Sequence, residues 1–116
     1  MPEINKITEK LNVIKPALFD IGIGKIIQVE ITGVHLDNNG LLSVPVKATY
    51  KDKTIEGHFP LNTGNYRKIE SVLGNNSDVY VGATFEAVCI PRNNPQTKAE
   101  VLSWSVLEET VKAKSK

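Results

Sequence analysis

Between about Lys25 and Leu61 the chain alternates apolar and polar residues, and a short stretch of helical character then interrupts the pattern. Alternation with a period of two marks strands that bury one face. A first strand is expected over about Lys25–Gly33, where Ile27, Val29 and Ile31 share one side and Gln28, Glu30 and Thr32 the other. After the turn-forming run Asp37-Asn38-Asn39-Gly40, a second is expected over about Leu42–Tyr50, with Leu42, Val44, Val46, Ala48 and Tyr50 on one face. Pro45 on its other face has no N–H to give to a ladder, so it must lie at an edge or a bulge. Lys51-Asp52-Lys53 turns the chain into a third strand over about Thr54–Leu61, with Ile55, Gly57, Phe59 and Leu61 aligned.

The interruption spans Asn65 to Leu73. Asn62, Thr63 and Asn65 are candidate N-caps, and Gly74 fits the residue after the last turn. Ile69, Val72 and Leu73, with Tyr66 beside them, are expected to face inward. A helix this short is marginal alone, so packing must hold it. A fourth strand is expected over about Val79–Ile90 with Gly82 as a bend, and a loop over Pro91–Lys98. A fifth strand over about Ala99–Leu107 carries Trp104.

Three strands, one helix and two strands is the element order of an OB-fold, a five-stranded Greek-key barrel that holds oligonucleotides or oligosaccharides. The expected fold is therefore all-β, one such barrel over residues 17–108 with the helix between strands three and four. Residues 1–16 read as an extension or a short helix, since Ile4, Ile7, Leu11 and Ile14 recur at helical spacing between Pro2 and Pro16. The other reading of that stretch is a flexible lead-in with a few anchoring side chains. Residues 109–116 read as a disordered basic tail.

The 116 residues suffice for one domain with its own core, without disulfide or metal. At 41% hydrophobic and 23% charged the chain has the balance of a soluble globular protein. No apolar run reaches the ~20 residues that span a bilayer, and Met1 to Lys6 lacks the layout of a signal peptide. The expectation is a cytoplasmic protein without a membrane partner. Net charge is +1, from 14 basic and 13 acidic residues, which argues against a grip on duplex DNA through phosphates alone.

The stretch from Leu61 onward resembles a group of small OB-fold, single-stranded-DNA-binding-like proteins of phages and mobile elements. The likeness lies in Leu61-Asn62 with Asn65, then Ile69, Gly74, Asp78-Val79-Tyr80-Val81-Gly82 and Asn94-Pro95-Gln96-Thr97. Where that group often has tryptophan, this chain has Tyr80. The resemblance covers about a third of the chain, over residues 61–97. It implies binding of single-stranded nucleic acid, with DNA favoured over RNA, in DNA replication or repair.

On such a fold the ligand meets strands two and three and the loops joining strands one–two and four–five. Lys47, Lys51, Lys53 and His58 fall on the polar faces of those strands and their turn, and Arg92, Asn93, Asn94 and Lys98 on the later loop. Cations would meet phosphates, and amides would meet base edges. The competing reading is an ordinary solvated face, because Asp52 and Glu56 sit among these lysines. Stacking needs exposed aromatic rings. The chain has three phenylalanines, three tyrosines and one tryptophan, and Tyr50, Phe59 and Trp104 fall on apolar faces.

Nothing points to catalysis. Cys89 lies in an apolar run and reads as a small buried hydrophobe. His35 and His58 read as surface residues without metal-ligand spacing. Gly22-Ile23-Gly24-Lys25 lacks the context of a phosphate loop. The expected function is thus non-catalytic binding of single-stranded nucleic acid with little sequence selectivity and no cofactor. The alternative is a protein–protein adaptor or structural subunit, with the N-terminal segment docking on a partner or a second copy.

Overall fold

The computed structural model describes residues 4–6, 12–38, 40–74, 77–93, 96 and 98–113. In chain order these form β1 (Ile4–Lys6), β2 (Ile26–Ile31), β3 (His35–Asn38), β4 (Leu41–Tyr50), β5 (Lys53–Pro60), α1 (Thr63–Leu73), β6 (Thr84–Asn93) and β7 (Glu100–Lys112). Short 3-10 turns lie at Pro16–Phe19 and Ser77–Val79. No helix among the described residues is long and apolar enough to cross a membrane.

The long strand β4 organises one sheet. β5 runs antiparallel along one edge, from Ser43 opposite Pro60 to Tyr50 opposite Lys53. The other edge is shared by β3, with Leu36 opposite Ser43, and β2, with Val29 opposite Ala48. β2 continues the sheet to β6, and β6 to β7, all antiparallel. β1 lies parallel on β3. Pro45 sits where β4 passes from β3 to β2. Its carbonyl accepts from Thr32 N–H in the break between them, so its missing N–H interrupts no ladder.

Ile27, Val29 and Ile31 of β2 pack against Val44, Val46 and Ala48 of β4 in the core. Phe59 stands at the centre, edge-on to Phe85 at 5.2 Å and stacked with Trp104 at 6.4 Å. In α1 the Asn62 side chain caps the first turn by accepting from Asn65 N–H at 2.8 Å. Gly74 ends the helix at φ 73°, where a side chain would be strained. Asn65, Ile69 and Leu73 recur every four residues and form the buried stripe. Val72, expected inside, lies at the margin of that stripe and is 47% exposed.

The expected barrel is not closed by strand pairing: the sheet is open between β5 and β7. The facing edges make other bonds. On β5, His58 C=O accepts from Ile14 N–H at 2.9 Å, and His58 N–H donates to Asn12 C=O at 2.8 Å. On β7, the Asn65 amide donates to Trp104 C=O and accepts from Val106 N–H, each at 3.0 Å, as a neighbouring peptide would. The Trp104 indole donates to Ile14 C=O at 2.9 Å and ties the two sides together. Gly57 lets residues 12–14 approach: a Cβ there would lie 2.7 Å from the Asn12 carbonyl oxygen.

Several expectations are corrected. The N-terminal helix is absent from the described part of its range. Ile4–Lys6 is a strand, and Val13 bridges His58 in extended form. Ile14 is fully buried, but the open edges of β3 and β5 recruit this chain's backbone as strand partners. Residues 2–3 and 7–11 lie outside the described residues. His35, read as a surface residue, begins an additional strand and is 2% exposed. The fourth strand starts only at Thr84, because residues 77–82 form a 3-10 turn and a tight turn. It runs on to Asn93 through residues expected to be loop. β7 continues to Lys112, past the expected start of a tail, and residues 114–116 lie outside the described residues.

Candidate functional site

A cleft of about 640 Å³ opens where two connections meet α1 and β6. The turn into β4 contributes Gly40 and Leu41, and the chain leaving β5 for α1 contributes Leu61 and Asn62. α1 adds Tyr66, Arg67 and Glu70, and β6 adds Arg92. Leu41 is 68% exposed at its start of β4, a large apolar side chain left on the cleft wall.

The cleft carries two cations, Arg67 and Arg92, against one carboxylate, Glu70. The Tyr66 hydroxyl, one helical turn before Glu70, donates to its Oε2 at 3.1 Å. Burial, with that bond and charge, pushes the Tyr66 phenol up to about 12. Behind it the His35 ring lies edge-on to Tyr66 at 5.7 Å and to Tyr80 at 5.2 Å. Burial holds the His35 imidazole down at about 4, against the opposing pull of the Glu70 charge. The Tyr80 hydroxyl donates to Gly74 C=O at 2.6 Å, and burial, then Tyr66 and Glu70, raises that phenol to about 12. At neutral pH the rings supporting the cleft are therefore uncharged, and its field comes from Arg67, Arg92 and Glu70.

The structure separates the residues expected to bind. Arg92 lines the cleft. Asn93 and Lys98 are exposed, Lys98 at φ 58°, and neither lines it; Asn94 lies outside the described residues. Lys47 projects from the outer face of β4 directly between Glu30 of β2 and Glu56 of β5. Lys51 sits 5.4 Å over the Tyr50 ring, and Lys53 donates to Leu18 C=O. Both lie at the far end of β4 from Leu41, roughly 30 Å along an extended strand of that length. His58 Nδ1 accepts from Asn12 N–H at 2.9 Å, so its ring serves the N-terminal segment.

Comparison with family models, curated proteins and solved structures returns no match to this chain.

Arg67 and the wall residues Leu41 and Asn62 did not emerge from the sequence as site residues. The available signal was local: Tyr66 and Glu70 at a spacing of four, with Arg67 between them, in the first turns of a capped helix. Nothing in the chain's order shows that this turn faces Gly40 and Arg92. Cys89 is fully buried and its burial pushes the thiol up, the opposite of what a nucleophilic cysteine needs.

Proposed function

We propose that this chain is a variant OB-fold protein that binds single-stranded nucleic acid, DNA in preference to RNA, in the cleft between α1, β4 and β6. One observation carries the proposal. Two arginines and a half-buried tyrosine converge at the junction of the β3–β4 turn, the β5–α1 connection and β6. Cations for phosphates beside a ring for a base are the elements of single-strand recognition.

The strand path supports the fold reading. Taking β2 and β3 as one broken strand, the order β5–β4–β2–β6–β7 with a helix after β5 is that of an OB barrel opened at one seam. Residues 12–14 and Asn65 occupy that seam. The preference for DNA rests on the resemblance carried by residues 61–97.

With two cations and one ring the affinity is modest, on the order of 10–100 µM at low salt. Fluorescence anisotropy with a labelled sixteen-nucleotide oligodeoxythymidine tests this. Saturable binding that weakens with salt and is lost in R67A/R92A supports the proposal. No binding at several hundred micromolar protein, or binding indifferent to salt, overturns it.

The second reading, a protein–protein adaptor, is favoured by the outer face of β2 and β6. There Ile26, 43% exposed, pairs across the strands with half-buried Val88. Light scattering separates the readings. A discrete oligomer that dissociates in Ile26→Lys supports the adaptor, and a monomer at high concentration counts against self-association through this face.

A further inference from the structure

We infer that the cleft takes a single nucleotide unit, one base with a phosphate on each side, and does not track a long strand. The inference rests on the binding reading above and adds the size and chemistry of what is bound. An OB-fold that tracks single strands engages about 4–16 nucleotides through a continuous basic groove and successive stacked rings. Among the described residues, neither feature continues from this cleft along β4.

Of the cations expected to bind, only Arg92 lines the cleft, and Lys98 is exposed outside that lining. Lys47 lies between two glutamates, Lys53 is bound to the Leu18 carbonyl, and Lys51 is held over Tyr50 at the far end of β4. A phosphodiester running along β4 would meet Glu30 and Glu56 beside the only lysine on its path among the described residues of that strand. Along α1 it would meet Glu70, which stands on the cleft wall one turn beyond Tyr66.

The rings give the same limit. Phe19, Phe59, Tyr80, Phe85 and Trp104 are buried, and Tyr50 is half-buried at the far end of β4. Only Tyr66 lines the cleft. One ring stacks one base. Two arginines neutralise two phosphates, and Asn62 on the same wall, its Oδ1 taken up in capping α1, keeps its amide N–H groups for a base edge or a sugar. The volume of about 640 Å³ agrees: it falls among pockets that hold one small molecule, roughly 300–1,000 Å³.

The test is a competition and length series on the full chain. The probe is labelled oligodeoxythymidine of four and sixteen nucleotides, and the competitors are thymidine 3′,5′-bisphosphate, thymidine and inorganic phosphate. The expected result is that the bisphosphate competes within about tenfold of the four-nucleotide strand, while thymidine and phosphate separately do not. Affinity divided by the number of registers is expected to be equal for the two strands. The plot of log affinity against log salt is expected to have a slope of about −1.4, two phosphates at about −0.7 each. Affinity per register that rises beyond four nucleotides, or a slope near −3.5 as five cations would give, overturns the inference and leaves nucleic-acid binding standing. Absence of binding by both strands overturns the underlying reading as well.

Discussion

Replacing Asn65 by alanine tests how the open side of the sheet is held. Asn65 is 4% exposed, and its amide satisfies Trp104 C=O and Val106 N–H, both on the edge of β7 that has no strand neighbour. Alanine leaves both backbone groups buried without a partner. Each orphaned group costs about 1–3 kcal/mol, so the expected loss is about 3–4 kcal/mol. Against a typical total of about 5–15 kcal/mol that is a large fraction. Urea unfolding reads it directly, with Trp104 as the sole indole and far-ultraviolet circular dichroism as a second probe. With a slope of about 1–2 kcal/mol/M the midpoint falls by about 2 M. Asn65→Asp is expected to be no better, because it sets a carboxylate against the Trp104 carbonyl oxygen. A loss below about 0.5 kcal/mol in Asn65→Ala, with coincident probes, would show that the amide does not hold this seam.

Three further outcomes are expected. His35 is held neutral down to about 4, whereas in the unfolded chain it takes a proton near 6.5; its contribution is therefore complete above about pH 6.5 and lost as pH falls toward 4. By linkage that contribution is about 3 kcal/mol, and His35→Phe should flatten the fall in urea midpoint between pH 7 and 4 relative to the parent. Gly57→Ala places a Cβ 2.7 Å from Asn12 O, so residues 12–14 must move off β5; a stability loss of about 1–3 kcal/mol is expected, with faster amide exchange at Ile14, and unchanged exchange would refute the close approach. Lys47→Ala, Lys51→Ala and Lys53→Ala together should leave oligonucleotide affinity within about twofold, whereas R67A/R92A weakens it at least about tenfold; the reverse order in an anisotropy titration would place the site on the strand face instead.

What could be read from the chain was what is local. The period of two gave β2 and β4 with their buried faces, since Ile27, Val29, Ile31, Val44, Val46 and Ala48 need only one neighbour sheet face to settle their direction. The helix was readable because Asn62 caps it and Gly74 ends it. The apolar spacing from Ile4 to Ile14 suits a helix, while the free edges of β3 and β5 that pair with residues 4–6 and 12–14 exist only after folding. His35 misled for a related reason: its burial comes from Tyr66 and Tyr80, far along the chain.

The site was less legible than the fold. Lys47 has the right residue type on the right face, but the register that sets Glu30 and Glu56 on either side of it is a tertiary fact. Arg92 was expected to bind, and it lines the cleft. Its partner Arg67 sits in a helix whose orientation is set by Asn65 and Ile69 packing inward, and only that packing turns Tyr66 and Arg67 toward Gly40 and Leu41.

The proposed binding site is the cleft and not the lysine-bearing face of β4 and β5. Amide chemical-shift mapping of the nitrogen-15-labelled chain during titration with oligodeoxythymidine tests it most directly. A ligand held in the cleft gives the largest shifts at Leu41, Asn62, Thr63, Tyr66, Arg67 and Arg92, with Lys47, Lys51 and Lys53 unmoved. Shifts concentrated at Lys47, Lys51 and Lys53, with the first turns of α1 silent, would contradict it.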